Sequence, residues 1–124
     1  MKFIQAAQAP TPAGHYSQAV EAAGLVFISG TLPTGNNQSP MDFDAQVHSA
    51  LDNCSAVLAS AGCGFSDVVQ CTVYVAGVEH WPAFNLVYAE RFGSHKPARA
   101  VVPVPALHHG FLVELQMVAQ ARKP

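Results

Sequence analysis

The stretch that decides the fold is FDAQVHSALDNCSAVLASAGCGFSDVVQCTVYV, residues Phe43–Val75, because the spacing of its apolar residues changes within it. Apolar residues recur every three or four positions over Phe43–Ala61, which predicts an amphipathic helix about five turns long. Start and stop signals flank this helix, namely Ser39, Pro40 and Asp42 before it and Gly62 after it. Over Val68–Val75 apolar and polar residues alternate, which predicts a strand with two different faces.

The same rules extend outward to the rest of the chain. They predict strands at Lys2–Gln5, Tyr16–Glu21, Leu25–Ser29, Ala98–Val104 and Leu112–Ala121, and a helix at Trp81–Phe92 with Pro82 in its first turn and Gly93 at its end. Proline and glycine predict loops at Ala9–Gly14 and Pro33–Pro40, and a hairpin turn at Ala22-Ala23-Gly24. Leu25–Ser29 is predicted to be buried on both sides, and Trp81, Phe84 and Phe92 to lie in the core.

The predicted order of elements is β-β-β-α-β-α-β-β, within one domain over residues 1–124. We therefore predict an α+β fold, in which a mostly antiparallel open sheet carries two helices on one face. The other face of such a sheet is bare and must be buried against something. Identical copies of the chain are the simplest candidate.

The composition supports self-association. Half of the residues are hydrophobic and 11% are charged, whereas a typical soluble domain has roughly 25% charged residues. A membrane protein could also be poor in charge, but no window approaches ~18 uninterrupted apolar residues. A chain this small leaves much apolar area exposed when alone, so we expect copies of the chain to cover part of its surface.

The charged residues and the cysteines indicate which kinds of partner and which cellular compartment to expect. The net charge is −2, and the basic residues are scattered, at Lys2, Arg91, Lys96, Arg99, Arg122 and Lys123. We therefore expect no nucleic-acid partner, since a nucleic-acid platform needs a basic stripe. The amino terminus lacks a signal-peptide core, and three unpatterned cysteines (Cys54, Cys63, Cys71) argue against a disulfide framework. These features predict a cytoplasmic protein with no membrane association.

Two isolated charges lie inside apolar strands. Arg99 begins the strand ARAVV, and Glu114 lies in the strand LVELQ. Each needs a partner, because burying an unpaired charge is costly. The two residues could pair with each other or point into solvent. Alternatively, the Arg99 guanidinium could bind a substrate carboxylate while Glu114 activates a water molecule.

Five segments together resemble the RidA family, in that family's order and spacing. They are Gly14-His15-Tyr16-Ser17-Gln18, Ile28-Ser29-Gly30-Thr31-Leu32-Pro33, Asn85 with Tyr88, Lys96-Pro97-Ala98-Arg99 and Leu112-Val113-Glu114. The resemblance implies a chorismate-mutase-like α+β fold and a homotrimer with its sites between subunits. It also implies hydrolysis of reactive 2-imino or 2-enamine carboxylic acids to 2-oxo acids and ammonia, without a metal or organic cofactor.

The resemblance also assigns roles to residues. Arg99 would bind the substrate carboxylate and Glu114 would position the hydrolytic water. Tyr16, Ser29, Gly30, Asn85 and Val101 would line the pocket. These residue types suit the reaction, because an iminium carbon is already electrophilic and mainly needs orientation and a placed water.

Some positions depart from the family pattern. Histidine occupies position 15 where proline is common, Val101 stands where cysteine is common, and Gln116 replaces a second glutamate. The most distinctive departure is the pair His108-His109 before the last strand. We predict His108, His109 and His15 at the pocket rim. Adjacent histidines in a loop point apart and lack further ligands at suitable spacing, so no metal site is predicted.

Two other functions stay open on the sequence alone. A non-catalytic module could use Arg99 to bind carboxylate metabolites without turnover. An endoribonuclease or translation inhibitor is the third possibility, against which the acidic pI of about 6.3 weighs.

Overall fold

The computed structural model describes residues 1–35 and 41–122. Its elements are β1 Lys2–Ile4, β2 Ala19–Ala22, β3 Leu25–Thr31, α1 Phe43–Ser60, β4 Val68–Val75, α2 Trp81–Phe92, β5 Ala98–Pro103 and β6 Val113–Gln120, with single 3₁₀ turns at Phe65–Asp67, Val78–His80 and His108–Gly110. The predicted element order is confirmed. Strand β2 begins three residues later than predicted. Ser39 and Pro40, predicted as start signals, lie outside the described residues.

The ends of both helices follow the predicted signals. An Asp42 carboxylate oxygen accepts a hydrogen bond from the Ala45 backbone N–H at 2.8 Å, which caps the start of α1. Gly62 and Gly93 follow the two helices with φ of 77° and 66°. Only glycine adopts such values without strain, so both residues stop their helix where the sequence predicts.

The six strands form one sheet in the order β1-β2-β3-β6-β4-β5. All neighbours are antiparallel except β4 and β5, which run parallel. The last strand, β6, therefore lies in the middle of the sheet. Both helices pack on one face, so the predicted α+β architecture is confirmed.

One apolar cluster fills the space between the helices and this face. Val26, Leu51 and Leu115 are fully buried within it, and so are the predicted core thiols Cys54 and Cys71. Phe84 and Phe92 are buried as predicted, but the prediction for Trp81 is wrong, because 41% of this residue is exposed. Trp81 is the first residue of α2 and precedes the buried stripe that starts at Phe84.

Within residues 1–35 and 41–122, no helix covers the opposite face of the sheet in the single chain. Val26 and Ile28 of β3 point into the core, whereas Phe27 between them is 44% exposed on the other face. The prediction that β3 is buried on both sides is therefore wrong for one copy alone, since its alternate side chains point away from the helices. Phe3 and Val102 are exposed on the same face as Phe27.

Two properties of the described part of the chain bear on function. No helix within residues 1–35 and 41–122 is long and apolar enough to cross a membrane. Within the same ranges, no group of three or more His, Cys, Asp or Glu side chains is placed to hold a metal ion.

The turn between β2 and β3 gives a test of the fold. Ala23 and Gly24 have φ of 54° and 78°, and a two-residue turn with positive φ at both positions favours Asn-Gly. We expect Ala23→Asn to raise the free energy of unfolding by about 0.5 kcal/mol and Gly24→Ala to lower it by about 1 kcal/mol. Chemical denaturation at fixed protein concentration measures both, and equal midpoints for the two variants would contradict this turn geometry.

Candidate active site

Arg99 is held by α2 at the edge of the sheet. Its Nη1 donates a hydrogen bond to Asn85 Oδ1 at 3.0 Å. Its guanidinium carbon lies 4.9 Å from the centre of the Tyr88 ring, close enough for a cation–π interaction. Asn85 and Tyr88 are three residues apart on α2 and so share a helix face. One face of α2 therefore holds the guanidinium of Arg99, a residue of β5, in place.

Tyr88 contacts Arg99, but the sequence does not predict this role. The resemblance predicts Asn85 as a pocket residue and includes Tyr88 only as part of a motif, although their three-residue spacing indicates a shared helix face. The Tyr88 ring also stacks on Phe92, with centroids 4.4 Å apart. Its hydroxyl is buried with no hydrogen-bond partner among the described residues, and burial raises the pKa of this hydroxyl. The ring, rather than the hydroxyl, faces Arg99.

A cavity of about 460 Å³ opens beside Arg99. Its lining combines polar and aromatic groups, among them Asn85, Tyr88, Phe92, His95, Lys96 and Arg99. Among the described residues, the lining contains no carboxylate, so the Arg99 guanidinium is available to bind an anion in this cavity.

Glu114 lies on the opposite face of the sheet. Arg99 is in register with Cys71 of β4, which points into the core, whereas Glu114 is in register with Tyr74. Successive residues of a strand point to opposite faces, and Cys71 and Tyr74 are three positions apart, so their side chains lie on opposite faces of the sheet. The two predicted catalytic residues therefore do not meet within one chain. This geometry rules out an intrachain Arg99–Glu114 ion pair.

Gly30 makes room for the Glu114 carboxylate. The pairing of β3 with β6 is irregular between Ile28 and Thr31, and Gly30 lies in this irregular segment. A Cβ at Gly30 would lie only 2.7 Å from Glu114 Oε2. A larger residue would therefore displace the carboxylate, which explains why glycine suits this position.

Two influences act on the protonation of Glu114. Partial burial raises the pKa of its carboxyl above the ordinary value, and this is the larger influence. The nearby His108 lowers the pKa of the same carboxyl by its charge. The carboxyl is thus biased toward accepting and returning a proton, as general acid–base chemistry requires.

A second cavity, of about 320 Å³, is lined by Gly30 and extends to Asn53 and Val57 of α1. Four of the predicted site residues line it, namely Tyr16, Ser29, Gly30 and His109. The Ser29 hydroxyl donates to the Ser17 carbonyl at 2.6 Å, which leaves its oxygen lone pairs as acceptors toward the cavity.

Gln18 positions the loop that closes this cavity. Its Oε1 accepts a hydrogen bond from the Ala6 N–H at 2.6 Å, and its Nε2 donates to the Pro10 carbonyl at 2.8 Å. Gln18 belongs to the first of the five resembling segments, but its position in that segment does not indicate its role. Its contacts depend on a loop that is distant in sequence.

The other predicted rim and pocket residues have mixed placements. His108 lies near Glu114, and His109 lines the cavity. His15 is exposed and lines neither cavity. Val101 lies on the same face of β5 as Arg99 and packs against the core. The predicted site is thus divided into an Arg99 half, with Asn85, and a Glu114 half, with Tyr16, Ser29 and Gly30.

Comparison with known families identifies the family of this chain. A family model described as endoribonuclease L-PSP matches residues 6–121, which include both halves of the site. The chain belongs to this family. Structures of Rid proteins are among its neighbours, so the resemblance to the RidA family is confirmed.

Individual relatives cover nearly the whole chain. A 2-iminobutanoate/2-iminopropanoate deaminase of Capra hircus is 38% identical over 121 residues, covering 95% of this chain and 88% of the relative. A RutC family protein of Pyrococcus horikoshii is 38% identical over 114 residues, covering 90% of each. The crystal structure of E. coli TdcF with bound serine superposes with a TM-score of 0.90 at 30% identity, over 99% of this chain and 100% of that one.

The environment of Glu114 leads to a stability prediction. Because burial raises its pKa, the folded chain binds this proton more tightly than the unfolded chain, and stability falls as pH rises through the raised pKa. We therefore expect Glu114→Gln to unfold at higher denaturant than the original protein at pH 7. The difference should vanish below about pH 4, where the carboxyl is protonated in both states.

Glu90, an exposed acid on α2, provides the matched control. Glu90→Gln should leave the midpoint nearly unchanged at both pH values. If Glu114→Gln were no more stable than Glu90→Gln at pH 7, the Glu114 carboxylate would not be in a destabilising environment.

Proposed function

We propose that this protein hydrolyses reactive 2-imino and 2-enamine carboxylic acids to 2-oxo acids and ammonia, at sites assembled between copies of the chain. One observation carries the proposal. Arg99 lines a cavity and Glu114 occupies the space that Gly30 leaves open, yet the two residues lie on opposite faces of one sheet. A substrate can contact both only if a second copy supplies the missing half.

The bare sheet face supplies the surface for such an assembly. Phe27 and Val102 are exposed on it, and only 11% of all residues are charged. When the Arg99 half of one copy meets the Glu114 half of the next, the contact joins two different surfaces. Contacts of this kind close into rings, and a homotrimer is the smallest ring beyond a dimer.

Arg99 is proposed to bind the substrate carboxylate. A guanidinium presents two parallel N–H donors to a carboxylate and thereby fixes its plane. Asn85 and Tyr88 already hold this guanidinium in place. The substrate carbon next to the carboxylate is then held at a defined distance from the partner's Glu114, and orientation is the main requirement of this reaction.

Glu114 is proposed to move protons between water and nitrogen. Its carboxylate takes a proton from water as the C–O bond forms and the π electrons of the C=N bond move to nitrogen. The carboxyl then gives this proton to the amine, and the C–N bond breaks as ammonia leaves with the electron pair. The hydroxyl proton passes to Glu114 as the C=O bond forms, and a raised carboxyl pKa suits both directions of transfer.

The relatives support this substrate class. The Capra hircus relative is named as a deaminase of 2-iminobutanoate and 2-iminopropanoate. The E. coli TdcF structure has bound serine, an amino acid with the carboxylate that Arg99 would recognise. Water is the only co-reactant that the proposed hydrolysis needs, so the reaction as written requires no cofactor.

The activity can be tested with imines generated by an amino-acid oxidase and trapped by semicarbazide. The protein should lower the yield of trapped imine. Arg99→Ala should reduce kcat/KM by about 100-fold or more, because the substrate loses its orienting contact. Glu114→Gln should reduce kcat by a similar factor of about 100 while substrate affinity is largely retained.

Lys2→Ala and Glu90→Gln, which change exposed charges outside both cavities, are the matched controls and should behave like the original protein. If the original protein and Arg99→Ala gave equal trapped imine with several amino acids, the proposed function would be wrong. Binding of the 2-oxo acid without any turnover would instead support the carboxylate-binding module. Salt-sensitive cleavage of RNA would support the endoribonuclease.

A further inference from the structure

Two cationic side chains line the cavity beside Arg99, namely that of Arg99 itself and that of Lys96. Both lack an acidic partner within residues 1–35 and 41–122, whereas Arg91 and Arg122 each form an ion pair with an aspartate, at 2.7 and 2.8 Å. The cavity thus concentrates positive charge that the described part of the chain does not neutralise. Such a site favours a ligand with more than one negative charge.

The backbone on both sides of Lys96 is held in place. His95 Nε2 donates a hydrogen bond to the Val68 carbonyl oxygen at 2.7 Å. Pro97 restricts the preceding Lys96 to extended backbone conformations, and strand β5 begins directly after Pro97. The side-chain torsions of Lys96 are therefore the main freedom left, and its ammonium group stays near the cavity that its side chain lines.

The spacing of the two cations suits a short ligand. Lys96 and Arg99 are three residues apart, so their Cα atoms are at most about 10 Å apart. Arg99 donates to the neutral Asn85 amide at 3.0 Å through one of its N–H groups, which leaves its other donors and its charge for a ligand. A molecule with an anionic group at each end of a short carbon chain can therefore contact both cations in one cavity.

The same cavity has an apolar wall and room for more than a small imine. The rings of Tyr88 and Phe92 line it, stacked with their centroids 4.4 Å apart. Its volume of about 460 Å³ lies within the range of about 300–1,000 Å³ that is usual for pockets of drug-sized ligands. Two cations and an aromatic wall are complementary to a chain of methylene groups with a carboxylate at each end.

We propose that this cavity binds dicarboxylates and that the preferred substrates are 2-imino dicarboxylic acids, such as 2-iminoglutarate. The inference rests on the proposed function and deepens it. Arg99 binds the carboxylate next to the imine and fixes its plane, and Lys96 binds the second carboxylate at the end of the substrate side chain. A lysine ammonium on its flexible stem accepts a carboxylate from many directions, so it suits the end of a flexible side chain.

The contact with Lys96 is remote from the C=N bond that reacts. It is therefore equally strong in the ground state and in the transition state, and its loss should raise KM and leave kcat unaffected. Lys96 is exposed in the single chain, and an exposed ion pair changes affinity up to about 5-fold. Such an effect is a preference among substrates, since Arg99 still binds every 2-imino acid.

The kinetic test compares 2-iminoglutarate with the imine of norvaline, which has a methyl group in place of the second carboxylate. At low ionic strength the original protein should prefer 2-iminoglutarate, and Lys96→Met should lower the ratio of the two kcat/KM values about 5-fold, through KM. Added salt at about 1 M should lower the ratio of the original protein and leave that of Lys96→Met unchanged. Lys2→Met, which removes an exposed lysine outside both cavities, is the matched control and should keep the original ratio.

Calorimetry with the corresponding products measures recognition without turnover. The original protein and Lys2→Met should bind 2-oxoglutarate about 5-fold more tightly than 2-oxopentanoate. Lys96→Met should lose this difference.

The two measurements separate this inference from the proposed function. If neither imine is turned over but 2-oxoglutarate binds more tightly in a Lys96-dependent way, the proposed function fails and dicarboxylate recognition stands. If the norvaline imine is hydrolysed and 2-iminoglutarate is not preferred, the inference fails and the proposed function stands. Equal substrate ratios for Lys96→Met and Lys2→Met would also overturn the inference.

Discussion

The position of β6 between β3 and β4 is the constraint on which the rest of the structure depends. Its core-facing residues Val113, Leu115 and Met117 are buried against the helices. The alternation of a strand then forces Glu114, between the first two, onto the opposite face. In the parallel neighbour β5, Arg99 pairs with the buried Cys71 of β4, so its side chain lies on the helix-covered face and contacts α2. The pairing of strands in the sheet thus places the charges of Arg99 and Glu114 on opposite faces.

Each half of the site is organised in advance by this framework. On one side, Asn85 and Tyr88 hold the guanidinium, so little conformational entropy is lost when an anion binds. On the other side, the irregular end of β3 and the absence of a side chain at Gly30 give the Glu114 carboxylate its space. The carboxylate is held where its charge is disfavoured, which is typical of sites that trade stability for function.

Much of the fold was predictable from the sequence because local signals and tertiary structure agree. The two periodicities, the Asp42 cap and the glycines after each helix all place elements where the structure has them. The strand order was not predictable, since nothing local to Leu112–Ala121 shows that this last segment enters the centre of the sheet. The prediction that Phe27 is buried is wrong for the single chain. The sequence pattern does not distinguish an apolar side chain that faces the core from one that faces another copy of the chain.

The candidate site was predictable in residue type and only partly in geometry. The isolated charges at positions 99 and 114 stand out against apolar neighbours, and the family resemblance adds Asn85 and the Ser29-Gly30 segment. The contacts of Tyr88 and Gln18 depend on elements distant in the chain, so spacing alone could not assign their roles. The division of the site into two halves follows from strand register, which the sequence does not display.

The most direct test of the account is complementation between two inactive variants. Arg99→Ala and Glu114→Gln chains would be unfolded, mixed in equal amounts and refolded together, with separately refolded samples mixed afterward as the control. If each site takes Arg99 from one copy and Glu114 from the next, about a quarter of the sites in random assemblies hold both groups. Co-refolded protein should then regain about a quarter of the original imine hydrolysis. Activity no higher than that of the control would show that the two residues do not act across copies.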